Sequence, residues 1–158
     1  MSLVNEKGQA IVEFALAAVV LFMLLFAIID LGMMFYVNLT IQHAVRVGTR
    51  SAIIGQPAVN GTTPREALRQ KIIAASNGLC IDRNIVSGPT VSILTPSATA
   101  FSNYTGRQVP DTGAPDQIII VRMTYAWPLL TPVMAPFFDG GKYTFTASTT
   151  MKNEPGGL

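Results

Sequence analysis

The chain has 158 residues, nearly half of them hydrophobic (49%) and only 13% charged, with a net charge of +2. That composition fits one modest domain joined to a segment that belongs in a bilayer, and it excludes nucleic-acid binding, which needs a clustered basic footprint. The single cysteine, Cys80, closes no intramolecular disulfide, so an exported domain of about 100 residues has to hold together by its core alone.

Residues 1–8 read as a short polar leader carrying Glu6 and Lys7, and they are too few to fold by themselves. A secretory signal would show an apolar core of about 7 to 15 residues followed by a small-residue cleavage site. Here the apolar run is longer and continues as helical sequence. No charge occurs from Phe14 to Ile29, and the 19 residues Ile11 to Ile29 contain one ionisable group, Glu13. At about 1.5 Å per residue they span roughly the 30 Å of a hydrocarbon core. The run has neither Pro nor Gly, so an unbroken transmembrane helix over about 11–30 is expected.

Glu13 has two readings. In one it is an interfacial carboxylate in the first turn, where the helix dipole favours negative charge. In the other it is an ionisable group held at membrane depth, which needs a partner. Asp30 and Gly32 mark the far interface. Helical patterning continues through Leu31, Met34, Phe35, Leu39, Ile41, Ala44, Val45, Gly48 and Ala52, to about Ile54, before Gly55 and Pro57 stop it. Arg46 and Arg50 are four apart and share a face, as a solvated stripe or as a contact for a partner. His43, the only histidine, reads as an ordinary helix-surface imidazole.

After a turn-rich stretch at 56–62, Thr63 is an N-cap, Pro64 takes the first helical position and Glu66 stands three residues after the cap. The helix they open sets Ala67, Leu68, Ile72, Ile73 and Ala75 against Arg65, Arg69 and Lys71, with Gly78 as its expected C-cap. Val91 to Leu94 makes a short strand. Residues 95–116, rich in Pro, Gly, Ser, Thr and Asn, read as a long exposed loop. The triplets at Asn60 and Asn103 match the glycosylation sequon, a pattern that arises often by chance.

Two strands close the chain. Ile119, Val121, Met123, Tyr125 and Trp127 share one face of the first; Tyr143, Phe145, Ala147, Thr149 and Met151 share one face of the second. Such alternation predicts an antiparallel sheet packed on one side, covered by the second helix and the upper part of the first. Between the strands, 128–138 is almost wholly apolar, with Pro128, Pro132 and Pro136 spaced by four, which forbids regular helix. Pro128, Leu129, Leu130 and Pro132 are therefore either a loop folded over the open end of the core or a docking surface for another subunit or the membrane. The fold class is α+β: a long N-terminal helix, a second amphipathic helix and a small antiparallel sheet.

Three stretches carry a resemblance to a known family. Gly8 is followed by Gln9, Ala10, Ile11, Val12, Glu13 and Phe14; Ala44-Val45-Arg46-Val47-Gly48-Thr49-Arg50 lies further along; and Thr149-Thr150-Met151-Lys152-Asn153-Glu154 lies near the C-terminus. Together these resemble the TadE-like pseudopilins of the tight-adherence (Tad/Flp) pilus apparatus, within the type IV pilin pattern. The resemblance implies cleavage by a prepilin peptidase between Gly8 and Gln9, with the leader facing the cytoplasm. It also implies subunit assembly through Glu13 and Phe14, the Glu13 carboxylate pairing with the new amino group of Gln9 on a neighbouring subunit. The domain plan that follows is a leader at 1–8, a long helix at 9–54 and an extracytoplasmic headgroup at 55–158. Lys7 on one side of the span and Arg46 and Arg50 on the other leave orientation undecided by charge, so it rests on the resemblance.

The resemblance implies a minor pilin or pseudopilin of the bacterial inner membrane, structural or priming in pilus assembly. Its partners would be the membrane, the prepilin peptidase, other pilins and pseudopilins, and inner-membrane assembly proteins. The alternative is a permanently membrane-anchored extracytoplasmic ligand-binding module, with the 95–116 and 128–138 loops as its site. Catalysis is not expected, because Cys80 and His43 fall in different segments and no Ser-His-Asp set, metal-ligand cluster or phosphate-cradling glycine loop occurs. No cofactor, metal, nucleic acid or small-molecule substrate is expected either.

Overall fold

The computed structural model describes residues 3–53, 63–94, 107–109 and 114–154. The elements in order are helix α1 (Leu3–Ile53), helix α2 (Pro64–Ala75), strands β1 (Ile85–Ile93), β2 (Arg107–Val109) and β3 (Ile118–Pro128), and strand β4 (Lys142–Lys152). The sheet order is β2-β1-β3-β4. Contacts divide the chain into two units: residues 1–35 with 128–143, and residues 36–127 with 144–158.

The first unit contains the apolar part of α1. This helix begins at Leu3, inside the expected leader, because once a helix is nucleated each added residue costs little and gains a hydrogen bond. Side chains from Ile11 to Ile29 are nearly all exposed, Phe14 at 75% and Leu16 at 74%. The rest of the unit is the proline-rich connection, which makes no regular helix. It turns through two short 3-10 segments, Ala135–Phe137 and Asp139–Gly141. Its base is closed by the Leu129 N–H donating to the Gly141 carbonyl at 3.1 Å. Phe138 and Tyr143 meet edge to face, with ring centroids 6.2 Å apart.

The second unit holds the core. On α1 the pattern changes at Tyr36: Val37, Ile41, Ala44, Val45 and Thr49 are fully buried, at the spacing of one helix face. Thr49 satisfies its hydroxyl by donating to the Val45 carbonyl at 2.7 Å. Gly48 on the same stripe lies against Ile72 of α2; a Cβ there would meet Ile72 Cγ1 at 2.6 Å. Helix α2 starts as the sequence predicts, with the Glu66 N–H donating to Thr63 Oγ1 and Pro64 in the first turn. It ends earlier than predicted: Ser76, not Gly78, is the C-cap, and its N–H returns to the Ile73 carbonyl. Gly78 lies two residues further on, in a left-handed turn. Leu68 and Ile72 are its buried side chains.

Strand β1 is longer than the predicted 91–94. It pairs antiparallel with β3, with irregular register between Ile85 and Thr90. Gly88 sits in that irregularity at φ +101°, where a Cβ would lie 2.6 Å from the Arg122 carbonyl oxygen, so only glycine fits. Strand β2, three residues inside the predicted loop, pairs with β1 from Val109 opposite Val91 to Arg107 opposite Ile93. Strands β3 and β4 are antiparallel neighbours, tied by the Asn153 N–H to the Gln117 carbonyl and by the Thr124 and Thr146 hydroxyls 3.0 Å apart.

The predicted inward row of β3 is buried at Ile119, Val121, Met123 and Tyr125, and Phe145 and Ala147 bury the matching row of β4. On β3, Ile120 and Ala126 on the opposite face are buried too. The face opposite the predicted inward row is thus covered in part, at Ile120 and Ala126, while Arg122 and Thr124 on it are half-buried. Tyr125 links sheet and loop. Its hydroxyl donates to the Leu79 carbonyl at 2.6 Å and accepts from the Ile81 N–H and Asn84 Nδ2, both at 3.3 Å.

Candidate functional site

Gly8, Gln9, Glu13 and Phe14 all lie exposed on α1. Four residues of helix bring Gln9 and Glu13 onto one face, and Gln9 Nε2 donates to Glu13 Oε1 at 2.9 Å. A Cβ on Gly8 would meet nothing within 4 Å. From Gly8 onward the described side of the expected cut is therefore exposed, with an exposed carboxylate one helical turn beyond Gln9. Arg46 and Arg50 also stand exposed, one turn apart, with no ion pair among the described residues. His43 is exposed on the same helix.

At the end of β3 and in the connection after it, Pro128, Leu130 and Pro132 are exposed and Leu129 is half-buried. Leu130 is 56% exposed and Phe137 74%. The backbone here is held by Asp30, which is only 1% exposed. Asp30 Oδ1 accepts from the Leu130 N–H at 3.0 Å, and Oδ2 accepts from the Thr131 hydroxyl. Both carboxylate oxygens are thus used by one dipeptide a hundred residues away in sequence. Sequence reading treated Asp30 only as an interface marker. The signal for more was present, since Asp30 is the one charged residue between Glu13 and His43, and such a residue at membrane depth needs a partner.

Cys80 is buried, its N–H donating to Ser76 Oγ at 3.0 Å. Burial first, then the negative charge of Asp82, push its thiol up to about 11, with Arg69 opposing weakly. Arg69 itself bridges to Asp82 at 3.2 Å. Such a thiol is a packed apolar group and is not a nucleophile at neutral pH. No group of three or more His, Cys, Asp and Glu side chains that could hold a metal ion occurs among the described residues. The two sequons and most of the 95–116 loop lie outside the described residues.

One helix of the described chain, spanning Gly8–Ile53, is long and apolar enough to cross a membrane, and its most apolar window is entirely unburied. No curated protein and no solved structure matches the chain. Residues 8–50 match the family described as TadE-like protein. That match begins at the glycine of the expected cut and ends at Arg50, so it takes in the exposed Glu13, the buried Asp30 and the arginine pair. Over that stretch the chain is similar to TadE-like proteins, and the long apolar helix fits a single-pass membrane protein. Over residues 8–50 the chain is TadE-like, consistent with a TadE-like protein of the Tad pilus system.

Proposed function

We propose that the chain is a minor pilin or pseudopilin, a structural or priming component in the assembly of a Tad/Flp-type pilus or a related secretion machine. It sits in the bacterial inner membrane through α1, with residues 55–158 on the extracytoplasmic side, and a prepilin peptidase cuts it between Gly8 and Gln9. The cut turns the Gln9 peptide N–H into a free amine beside an unshielded carboxylate. Glu13 can then accept the amine of a neighbouring subunit's first residue, a charge pair of real value only where water is excluded. Phe14 and the exposed apolar surface around it supply the packing against that neighbour. Arg46 and Arg50, exposed past the span, and the 128–132 segment are the remaining contact candidates for pilins and assembly proteins.

The observation that carries this reading is the placement of Gly8, Gln9 and Glu13 on one exposed helix at the start of the TadE-like match. The test is the N-terminal sequence and intact mass of the protein taken from its native membrane, beside a Gly8→Ala variant. The expected result is a chain starting at Gln9, with that start lost in the variant. A start at Met1 or Ser2 in both would overturn the reading and leave a permanently anchored extracytoplasmic module in its place.

A further inference from the structure

The apolar connection between β3 and β4 takes no part in the cut between Gly8 and Gln9, yet it carries an exposed apolar surface of its own. Residues 128–138 carry no charge; the next charged residues, Asp139 and Lys142, are exposed and follow at once. Leu130 and Phe137 project more than half exposed. A surface of this kind marks a contact site.

Asp30 says where that contact lies. It is the first residue after the uncharged run that ends at Ile29. Counted from Ile11, the 19 residues up to Ile29 occupy roughly the 30 Å of a hydrocarbon core, so Asp30 stands at its outer edge. The Leu130 N–H is 3.0 Å from the Asp30 carboxylate, so the loop backbone is held at that same level. Irregular backbone cannot enter the hydrocarbon itself, because its N–H and C=O groups would go unsatisfied. The interfacial layer imposes no such penalty: polar backbone remains among headgroups while apolar side chains reach inward. The apolar surface is continuous with the span, since Leu31 and Phe35 of α1, just past Asp30, are also exposed.

We propose that the 128–138 loop is a second membrane contact, latched to α1 by Asp30 so that Leu130 and Phe137 rest in the outer interfacial layer of the bilayer that α1 crosses. Asp30 is a positioning residue here: it masks its own charge at the membrane edge by accepting the two donors that hold the loop down. The proposal rests on α1 being a membrane span, and the test separates the two.

The full-length protein with Trp127→Phe, carrying either Leu130→Trp or Phe22→Trp, is reconstituted in vesicles of phosphatidylethanolamine and phosphatidylglycerol. The vesicles are doped with phospholipid brominated either near the headgroup or near the chain end. The indole placed at position 22 should be quenched best by the deep bromine, and the one at position 130 by the shallow bromine. Adding Asp30→Ala should at least halve the quenching at position 130 and leave position 22 unchanged; Thr131→Val, which removes one of the two donors and spares the carboxylate, should act in the same direction. Absence of bromolipid quenching at 130 with normal quenching at 22 would overturn the proposal while leaving the span intact. If position 130 is instead shielded from aqueous iodide in proportion to protein density, the occupant is a second copy and the lipid contact is wrong. Full quenching at 130 in both Asp30→Ala and Thr131→Val would overturn the latch, and absence of quenching at 22 would overturn the span and the proposal together.

Discussion

Asp30 and Cys80 show what burial does to two side chains of opposite habit. Asp30 stays buried because both oxygens are occupied, whereas Cys80 stays buried because it remains neutral. The thiol rises from its ordinary 9.0 to about 11, chiefly through burial. A group whose folded value is raised adds stability that is complete below the unfolded value and is lost as pH climbs through the folded one. The contribution of Cys80 is therefore whole at pH 7 to 8 and fades between about 9 and about 11. An aromatic disulfide reagent added at pH 8 should modify the folded protein far more slowly than the protein in urea. Rapid modification of the folded form would show that the thiol is open. From the sequence, Cys80 was readable only as a single cysteine without a disulfide partner, and its burial and capped N–H were not. Asp30 was visible as a lone charge, and its partners Leu130 and Thr131 were not, since nothing local points to residues a hundred positions away.

At the scale of elements, the reading of α1 and α2 was good because both are written in local chemistry. Thr63 and Pro64 start α2 where capping physics says they should. Its end was misplaced by two residues, because Ser76 closes the last turn through its own N–H before Gly78 is reached. The contact between the helices is a matter of approach distance. Gly48→Ala would gain up to about 1 kcal/mol of helix propensity. It would also drive a methyl group to 2.6 Å from Ile72 Cγ1 and 3.3 Å from the Ile72 backbone N, so the side chain alone cannot yield. Overpacking of this kind costs about 1–3 kcal/mol. A net loss of up to about 2 kcal/mol is expected, read from the urea midpoint of Trp127 fluorescence in detergent. A stability equal to or above that of the parent would mean that the helices stand further apart. The strands were legible where they alternate, at β3 and β4. Strand β1 was seen only in its last third, because Gly88 and Pro89 break the period, and β2 was missed because three residues carry no period at all.

For the whole molecule the decisive property is which side of a membrane each part occupies. Charge does not settle it, with Lys7 before the span and Arg46 and Arg50 after it. Under the proposed topology, protease added to intact spheroplasts should digest the protein beyond α1 and leave a short fragment bearing the apolar run. Resistance until the cells are lysed would place the headgroup in the cytoplasm and remove the pilin reading. The amino-acid sequence by itself determined the long apolar helix, the amphipathic second helix, the alternating strands and the Gly8 to Glu13 pattern. All of these are periodic or local, so they are expressed within a few residues of their cause. Only the tertiary structure decided that Asp30 is sealed by Leu130 and Thr131, that Gly48 is a contact point for Ile72, and that Ile120 and Ala126 of β3 are buried opposite its predicted inward row. Those outcomes depend on which distant segments the folded chain brings within hydrogen-bonding or van der Waals reach, and no repeat in the sequence encodes that.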